Sequence, residues 1–139
     1  MRSREQIVFY GTLMSAFDHL DRLAVREQLR LLGPCRLNGR LFDMGEWPAL
    51  ALGGGIVHGE LFEVLDESIF GTLDPFEECY PDDPSTSRYT RERVALLEPT
   101  TSAWVYVANE PLTSARPIAS GSWHAWIEAR ACASRHTRG

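Results

Sequence analysis

No basic stripe, no membrane-length apolar run and no closely paired cysteines occur in this 139-residue chain. Each absence removes a class of function. The 14 basic residues, all arginines, are scattered through a sequence of net charge −5, so the basic face that nucleic-acid binding requires is missing. No apolar stretch approaches a membrane span, and Met1-Arg2-Ser3-Arg4-Glu5-Gln6 lacks the apolar core of a signal peptide. A soluble cytoplasmic protein with neither nucleic-acid nor membrane partners is therefore expected. Cys35, Cys79 and Cys132 are odd in number and far apart, which fits reduced thiols in a cytosol. His19, His58, His124 and His136 also lack ligand spacing, so no metal is expected. Gly53-Gly54-Gly55 has neither the Lys nor the following helix of a phosphate cradle. Ser120-Gly121-Ser122 lacks the Gly-x-Ser-x-Gly spacing of a nucleophile elbow. Repeats and low-complexity segments are absent too.

What is present suits one globular domain. Apolar residues make up 44% and charged residues 24%, enough to build a packed core. The expected domain covers 1–139, with its core over about 7–127 and a frayed tail over 134–139. Ile7-Val8-Phe9-Tyr10 is a β-branched and aromatic strand. Gly11 breaks it, since a residue without Cβ can turn where others cannot, and Thr12 can cap a following helix. A strand entering a Gly turn at a helix start presents backbone N–H groups to an anion or oxyanion. Leu13 to Leu32 carries Leu13, Phe17, Leu20, Ala24 and Leu31 near helical spacing and reads as an amphipathic helix, stopped by Gly33-Pro34.

A β region follows. Cys35–Asp43 alternates loosely, Gly45 and Pro48 mark a turn around Trp47, and the glycine triplet 53–55 links Ala49–Leu52 to a strand at Ile56–Val64. Asp66 is positioned to cap a helix with Ile69, Phe70, Leu73 and Phe76 on its apolar face. Pro75 is awkward there. A break near Thr72-Leu73 resolves it, with Asp74 capping a second short helix. Cys79–Ser87 is a Pro- and Asp-rich surface loop. Strands at Arg88–Leu97 and Ala103–Val107, a coil over Asn109–Ser122 and a helix over Trp123–Ala133 complete the chain. The order β-α-β-β-β-α-β-β-α is not a regular βαβ alternation. It predicts an α+β fold, a small mixed β-barrel with flanking helices.

Glu77 is the candidate for proton chemistry. It follows Phe76 at the end of an apolar face, where burial raises a carboxyl toward the range useful near neutral pH. The spacing Asp74-x-x-Glu77 equally suits a capping pair in which Glu77 bonds back to the Asp74 N–H. Glu78 beside it reads as solvated. Tyr89 and Arg91 share a strand face and can reach a carboxylate, or simply decorate the surface. Trp47 and Trp123, at element ends, suit core or plug positions. One carboxyl plus backbone N–H groups is a minimal apparatus that suits a reaction in which the substrate supplies its own nucleophile.

These pieces, in order, resemble the γ-glutamylcyclotransferase-like superfamily, which includes γ-glutamylamine cyclotransferases and AIG2-like proteins. The resemblance runs from about Ile7 to Trp126. It is carried by Tyr10-Gly11-Thr12-Leu13 and by Gly39-Arg40-Leu41-Phe42-Asp43-Met44-Gly45 with Trp47-Pro48-Ala49-Leu50. Val57–Val64, Leu73-Asp74-x-x-Glu77, Tyr89-x-Arg91-x-x-Val94 and Gly121-x-Trp123 follow. Three positions depart from the family pattern. Glu78 stands where Gly is common, Ser122 stands where Asp is common, and the loop from Tyr80 to Arg88 is longer. The third falls on the leaving-group side of the pocket and leaves substrate identity open.

The resemblance implies a small β-barrel with a cavity beside the first turn. It implies that Tyr10, Gly11, Thr12 and Leu13 bind a γ-glutamyl group and that Glu77 is the acid/base; Tyr89, from its strand face, is the further candidate substrate contact. The expected activity is that of an amide-cyclising acyltransferase or lyase: a γ-glutamyl amine or peptide closes to 5-oxoproline and frees the amine, with no cofactor. The small-molecule γ-glutamyl compound is the only partner implied. A non-catalytic binding or regulatory protein on the same scaffold is the alternative, because fold does not fix function.

Overall fold

A computed structural model describes residues 5–11, 14, 24–109, 111–112 and 114–136. Thr12, Leu13 and most of the expected first helix lie outside the described residues. The described strands are β1 (Gln6–Phe9), β2 (Leu29–Asp43), β3 (Pro48–Val64), β4 (Tyr89–Ala95), β5 (Ser102–Ala108) and β6 (Arg116–Ile118). They form one mixed sheet in the order β4-β5-β1-β3-β2-β6. It curls into a half-barrel flanked by two described helices, α1 (Phe70–Phe76) and α2 (Trp123–His136). The β1–β5 pair is parallel and the others are antiparallel.

The central place of β1 explains its unbroken apolar run. Ile7 and Phe9 join Ile69 and Leu73 beneath α1. Val8 and Tyr10 face the other way, into a cluster with Leu37, Leu50, Val105 and the α2 residue Trp123. A strand covered on both faces needs apolar side chains at every position. Trp123 is thus a core residue, 1% exposed.

Four expectations are corrected. The helix expected over Leu13–Leu32 does not reach its C-terminal end. Ala24 has φ +57°, Arg26–Gln28 form a single 3-10 turn, and Leu29 already pairs with Val64. Helical spacing of leucines loses here to a ladder that continues through Gly33-Pro34, with an irregularity between Leu31 and Gly33. Next, Gly53–Gly55 does not separate two strands. It is a bulge inside β3, where Asn38 pairs with Ile56 and Gly39 with Leu52, so three residues loop out and bend one long strand. A short strand, β6, lies within the expected coil and pairs with the end of β2.

The fourth correction concerns the helix break. Asp66 does cap, accepting from the Ser68 N–H at 2.9 Å, but the 3-10 turn Glu67–Ile69 runs straight into α1, with Pro75 inside it. Asp74 cannot cap a second helix because it sits mid-helix and its carboxylate is taken by Arg91 and Tyr106. Phe76, expected on the apolar face, is 39% exposed.

Candidate active site

A cavity of about 440 Å³ opens where the ends of several elements meet. The end of β1 contributes Tyr10 and Gly11. The β2–β3 turn contributes Glu46 and Trp47, and β3 opens with Pro48; Phe76 ends α1 and Glu77 and Glu78 follow it; Arg88 precedes β4 and Tyr89 opens it. Tyr106 of β5 lies behind them. Of the expected site residues, Tyr10, Gly11, Glu77 and Tyr89 therefore line one cavity. Thr12 and Leu13 fall outside the described residues.

Gly11 matters for a reason other than its expected role. It is not among the glycines with positive φ. A Cβ on it would lie 2.7 Å from Pro48 Cγ and 2.8 Å from Pro48 Cδ, so only glycine admits the proline ring against this turn. Pro48 is fixed in turn by Tyr89, whose hydroxyl donates to the Pro48 carbonyl at 2.9 Å. The Tyr10 hydroxyl donates to the Tyr106 carbonyl at 2.5 Å. Both phenols are thereby committed to the cavity wall. Their rings, and not free hydroxyls, are what they offer a ligand. Burial raises the Tyr10 hydroxyl well above its ordinary pKa, with the nearby Tyr89 and Glu77 charges adding to the effect.

Glu77 ends α1 in a Schellman turn. The Cys79 N–H donates to the Asp74 carbonyl at 2.8 Å and the Glu78 N–H to the Pro75 carbonyl at 3.0 Å, the two bonds that close this type of helix end. Glu78 then sits at φ +51°, the left-handed position usually held by Gly. The family's Gly at this point is thus a helix-end requirement that Glu78 meets with strain. With Asp74 inside the helix, Asp74 and Glu77 do not form a capping box. Glu77 is half-buried, and burial alone pushes its carboxyl up to about 7. A group poised there is an efficient proton donor and acceptor near neutral pH.

Around the rim, Glu78 bonds the Arg88 guanidinium at 3.2 Å, and Arg88 lies 5.6 Å over the Trp47 ring. Trp47 is 37% exposed, a plug at the mouth and not a core residue. Arg91 does reach a carboxylate, but that of Asp74, at 3.0 and 3.2 Å. Tyr106, Arg88 and Pro48 were not singled out by sequence reasoning as site residues. Tyr106 hides in an apolar strand run where only its polar tip distinguishes it.

The late motif has a structural explanation. A Cβ on Gly121 would fall 2.0 Å from the Ile56 carbonyl oxygen, and φ there is +67°. Ser122 accepts the Ala125 N–H on its hydroxyl at 3.1 Å and so caps α2, the role an Asp fills equally well. The two family departures at Glu78 and Ser122 are therefore both helix-end substitutions.

Residues 7–125 match the family model described as gamma-glutamyl cyclotransferase, AIG2-like. The chain is 30% identical over 95 residues to the gamma-glutamylcyclotransferase family protein YtfP of Escherichia coli, spanning 68% of this chain and 76% of that one. The solution structure of E. coli ytfP superposes with a TM-score of 0.64 at 27% identity, covering 85% of this chain and 95% of that one. A mouse AIG2-like protein does so with a TM-score of 0.58 at 28% identity, covering 77% and 78%. With the family model spanning most of the chain and the same fold in these relatives, the protein belongs to the gamma-glutamyl cyclotransferase, AIG2-like family.

Proposed function

We propose that this protein cyclises a γ-glutamyl amine or γ-glutamyl peptide to 5-oxoproline and releases the amine, with Glu77 as general acid/base. The observation that carries the reading is the placement of a desolvated carboxyl, raised to about 7, in the same cavity as the Tyr10-Gly11 turn. A volume of about 440 Å³ suits one small substrate. The family's name supports the same class of chemistry.

In this mechanism the Glu77 carboxylate takes a proton from the substrate α-ammonium. The freed amine attacks the γ-carbonyl carbon, forming the ring C–N bond. Both groups belong to one molecule, so the attack gains a large effective molarity and needs no enzyme nucleophile. Backbone N–H groups of the first turn receive the oxyanion. Glu77 then gives its proton to the departing nitrogen as the old amide C–N bond breaks. The ring nitrogen's second surplus proton passes to water.

The test is 5-oxoproline release from γ-glutamyl amines, γ-glutamyl amino acids and glutathione. Glu77→Gln should keep the fold and lower turnover by about 10²- to 10⁴-fold. Wild-type rates in that variant overturn the role of Glu77. No product from any substrate, with a folded protein, favours the non-catalytic binder.

A further inference from the structure

We infer that Asp74 is a positioning residue for Glu77: its carboxylate clamps α1 to β4 and β5 and, by holding the Arg91 guanidinium, keeps that positive charge off the cavity carboxyl. The inference rests on the reading of Glu77 as the acid/base.

The geometry is that of a built anchor. Asp74 is 8% exposed and lies one helical turn before Glu77, so both side chains occupy neighbouring positions on α1. Its two oxygens accept from Arg91 Nε at 3.0 Å and Nη2 at 3.2 Å. The Tyr106 hydroxyl donates to the same carboxylate at 2.6 Å. Arg91 packs against two rings, 4.0 Å from the Phe70 ring centroid and 4.9 Å from that of Trp104. The Asp74 carbonyl also receives the Cys79 N–H, which closes the turn containing Glu77. One residue therefore fixes the backbone after Glu77 and the sheet behind it. Through Tyr106, whose carbonyl receives the Tyr10 hydroxyl, it is tied to the first turn as well.

The charges around the cavity make the second half of the inference. Among the described residues, the ionisable groups that line the cavity with Glu77 are Tyr10, Glu46, Glu78, Arg88, Tyr89 and Tyr106; Asp74 and Cys79 flank Glu77 in the chain, Arg91 sits on Asp74, and Glu92 and Arg93 follow along β4. Each described arginine of this set is bound to a carboxylate, Arg88 to Glu78, Arg91 to Asp74 and Arg93 to Glu5. A free guanidinium close by would pull the Glu77 carboxyl down toward the ordinary range. With these arginines paired, burial is what raises it.

Opposite charge changes at the two ends of one ion pair separate this role from simple support. Asp74→Asn frees the Arg91 charge and should shift the Glu77 titration down by about one pH unit. Arg91→Met leaves the Asp74 charge unpaired and should shift it up. The double variant should return it toward the parent value. Each single variant breaks the same clamp and should lower kcat by about ten- to a hundredfold with little change in KM.

The readout is the 13C carboxyl titration of Glu77, assigned by loss of its signal in Glu77→Gln, beside the pH profile of kcat/KM on a γ-glutamyl substrate. Shifts in the same direction, or none, overturn the proposal. Arg91→Gln, with the same expected upward shift, serves if Arg91→Met does not fold. Opposite shifts in a protein that releases no 5-oxoproline would uphold the clamp and refute the cyclotransferase reading. Turnover that depends on Glu77 without opposite shifts would do the reverse.

Discussion

Glu77→Gln tests the state of the carboxyl through stability as well as turnover. A carboxyl that burial raises from 4.5 to about 7 is a standing penalty on the folded protein at high pH. Below about pH 4.5 it is protonated in both folded and unfolded chains and contributes nothing. As pH rises from there, the unfolded chain loses the proton first, so the folded state binds more protons and stability falls with pH. The penalty is complete above about pH 7. At 1.36 kcal/mol for each pH unit between the two values it reaches about 3 kcal/mol, and residual solvent contact at a half-buried site reduces this to about 2 kcal/mol. Gln has nearly the shape of the protonated acid and carries no penalty at any pH.

The variant should therefore be about 2 kcal/mol more stable than the parent at pH 8.5, roughly 6–10 °C in Tm, and within about 1 kcal/mol of it at pH 5. Thermal or urea unfolding across that range reads the difference. Over the same range the parent's kcat/KM should rise through about pH 7, while the variant stays low throughout. A variant less stable than the parent at both pH values would show that the carboxylate supports the fold. The reading of a desolvated, strained acid would then fail.

Substitutions at three positions probe the two helix ends and one tight backbone approach. Gly121→Ala should destabilise by more than about 2 kcal/mol, because its Cβ meets the Ile56 carbonyl and its φ is +67°; urea unfolding gives the value. Ser122→Ala should cost about 1 kcal/mol of cap while Ser122→Asp stays near neutral, which paired melting curves will show. Glu78→Gly relieves the left-handed strain but loses the Arg88 contact and adds backbone entropy. Its stability should stay within about 1 kcal/mol of the parent, whereas Glu78→Val, with a branched Cβ at φ +51°, should fall below both.

What could be read in the chain, and what could not, divides along physical lines. The strand before Gly11 follows from local pattern, because a doubly covered strand must be apolar at each residue, whereas Trp47 and Trp123 read alike as core or plug and only the fold separates them, at 37% and 1% exposure. The Asp66 cap was legible because its partner, Ser68, is two residues away. Leu29–Leu32 misled because leucine is a good helix former, and only pairing with Phe62 and Val64, some thirty residues on, decides for strand. Glycine triplets suggest turns, and nothing local says that β3 continues past Gly55 against Asn38. Glu77 was legible as a candidate from its place after an apolar face. Asp74 was legible only as a cap, since Arg91 and Tyr106, which claim its carboxylate, are 17 and 32 residues away.

The same division explains why the candidate site is spread so thinly through the sequence. A reaction whose nucleophile belongs to the substrate asks the protein for a shaped cavity, oxyanion donors and one tuned proton carrier. Tuning by burial requires that the carrier have no cation of its own, yet among the described residues Arg88 lines the cavity and Arg91 sits on Asp74, three residues before Glu77. Arg88 is paired with Glu78 and Arg91 with Asp74, so each guanidinium has its own carboxylate. Glu78 thereby does something Gly could not. It accepts a left-handed φ, and in return its side chain fixes Arg88 across the Trp47 ring at the cavity mouth. That rim lies at the start of β4, where the long loop from Tyr80 returns to the sheet. Variation in loop length can therefore reshape the entrance while the Tyr10-Gly11 turn and Glu77, held by β1 and α1, keep their positions.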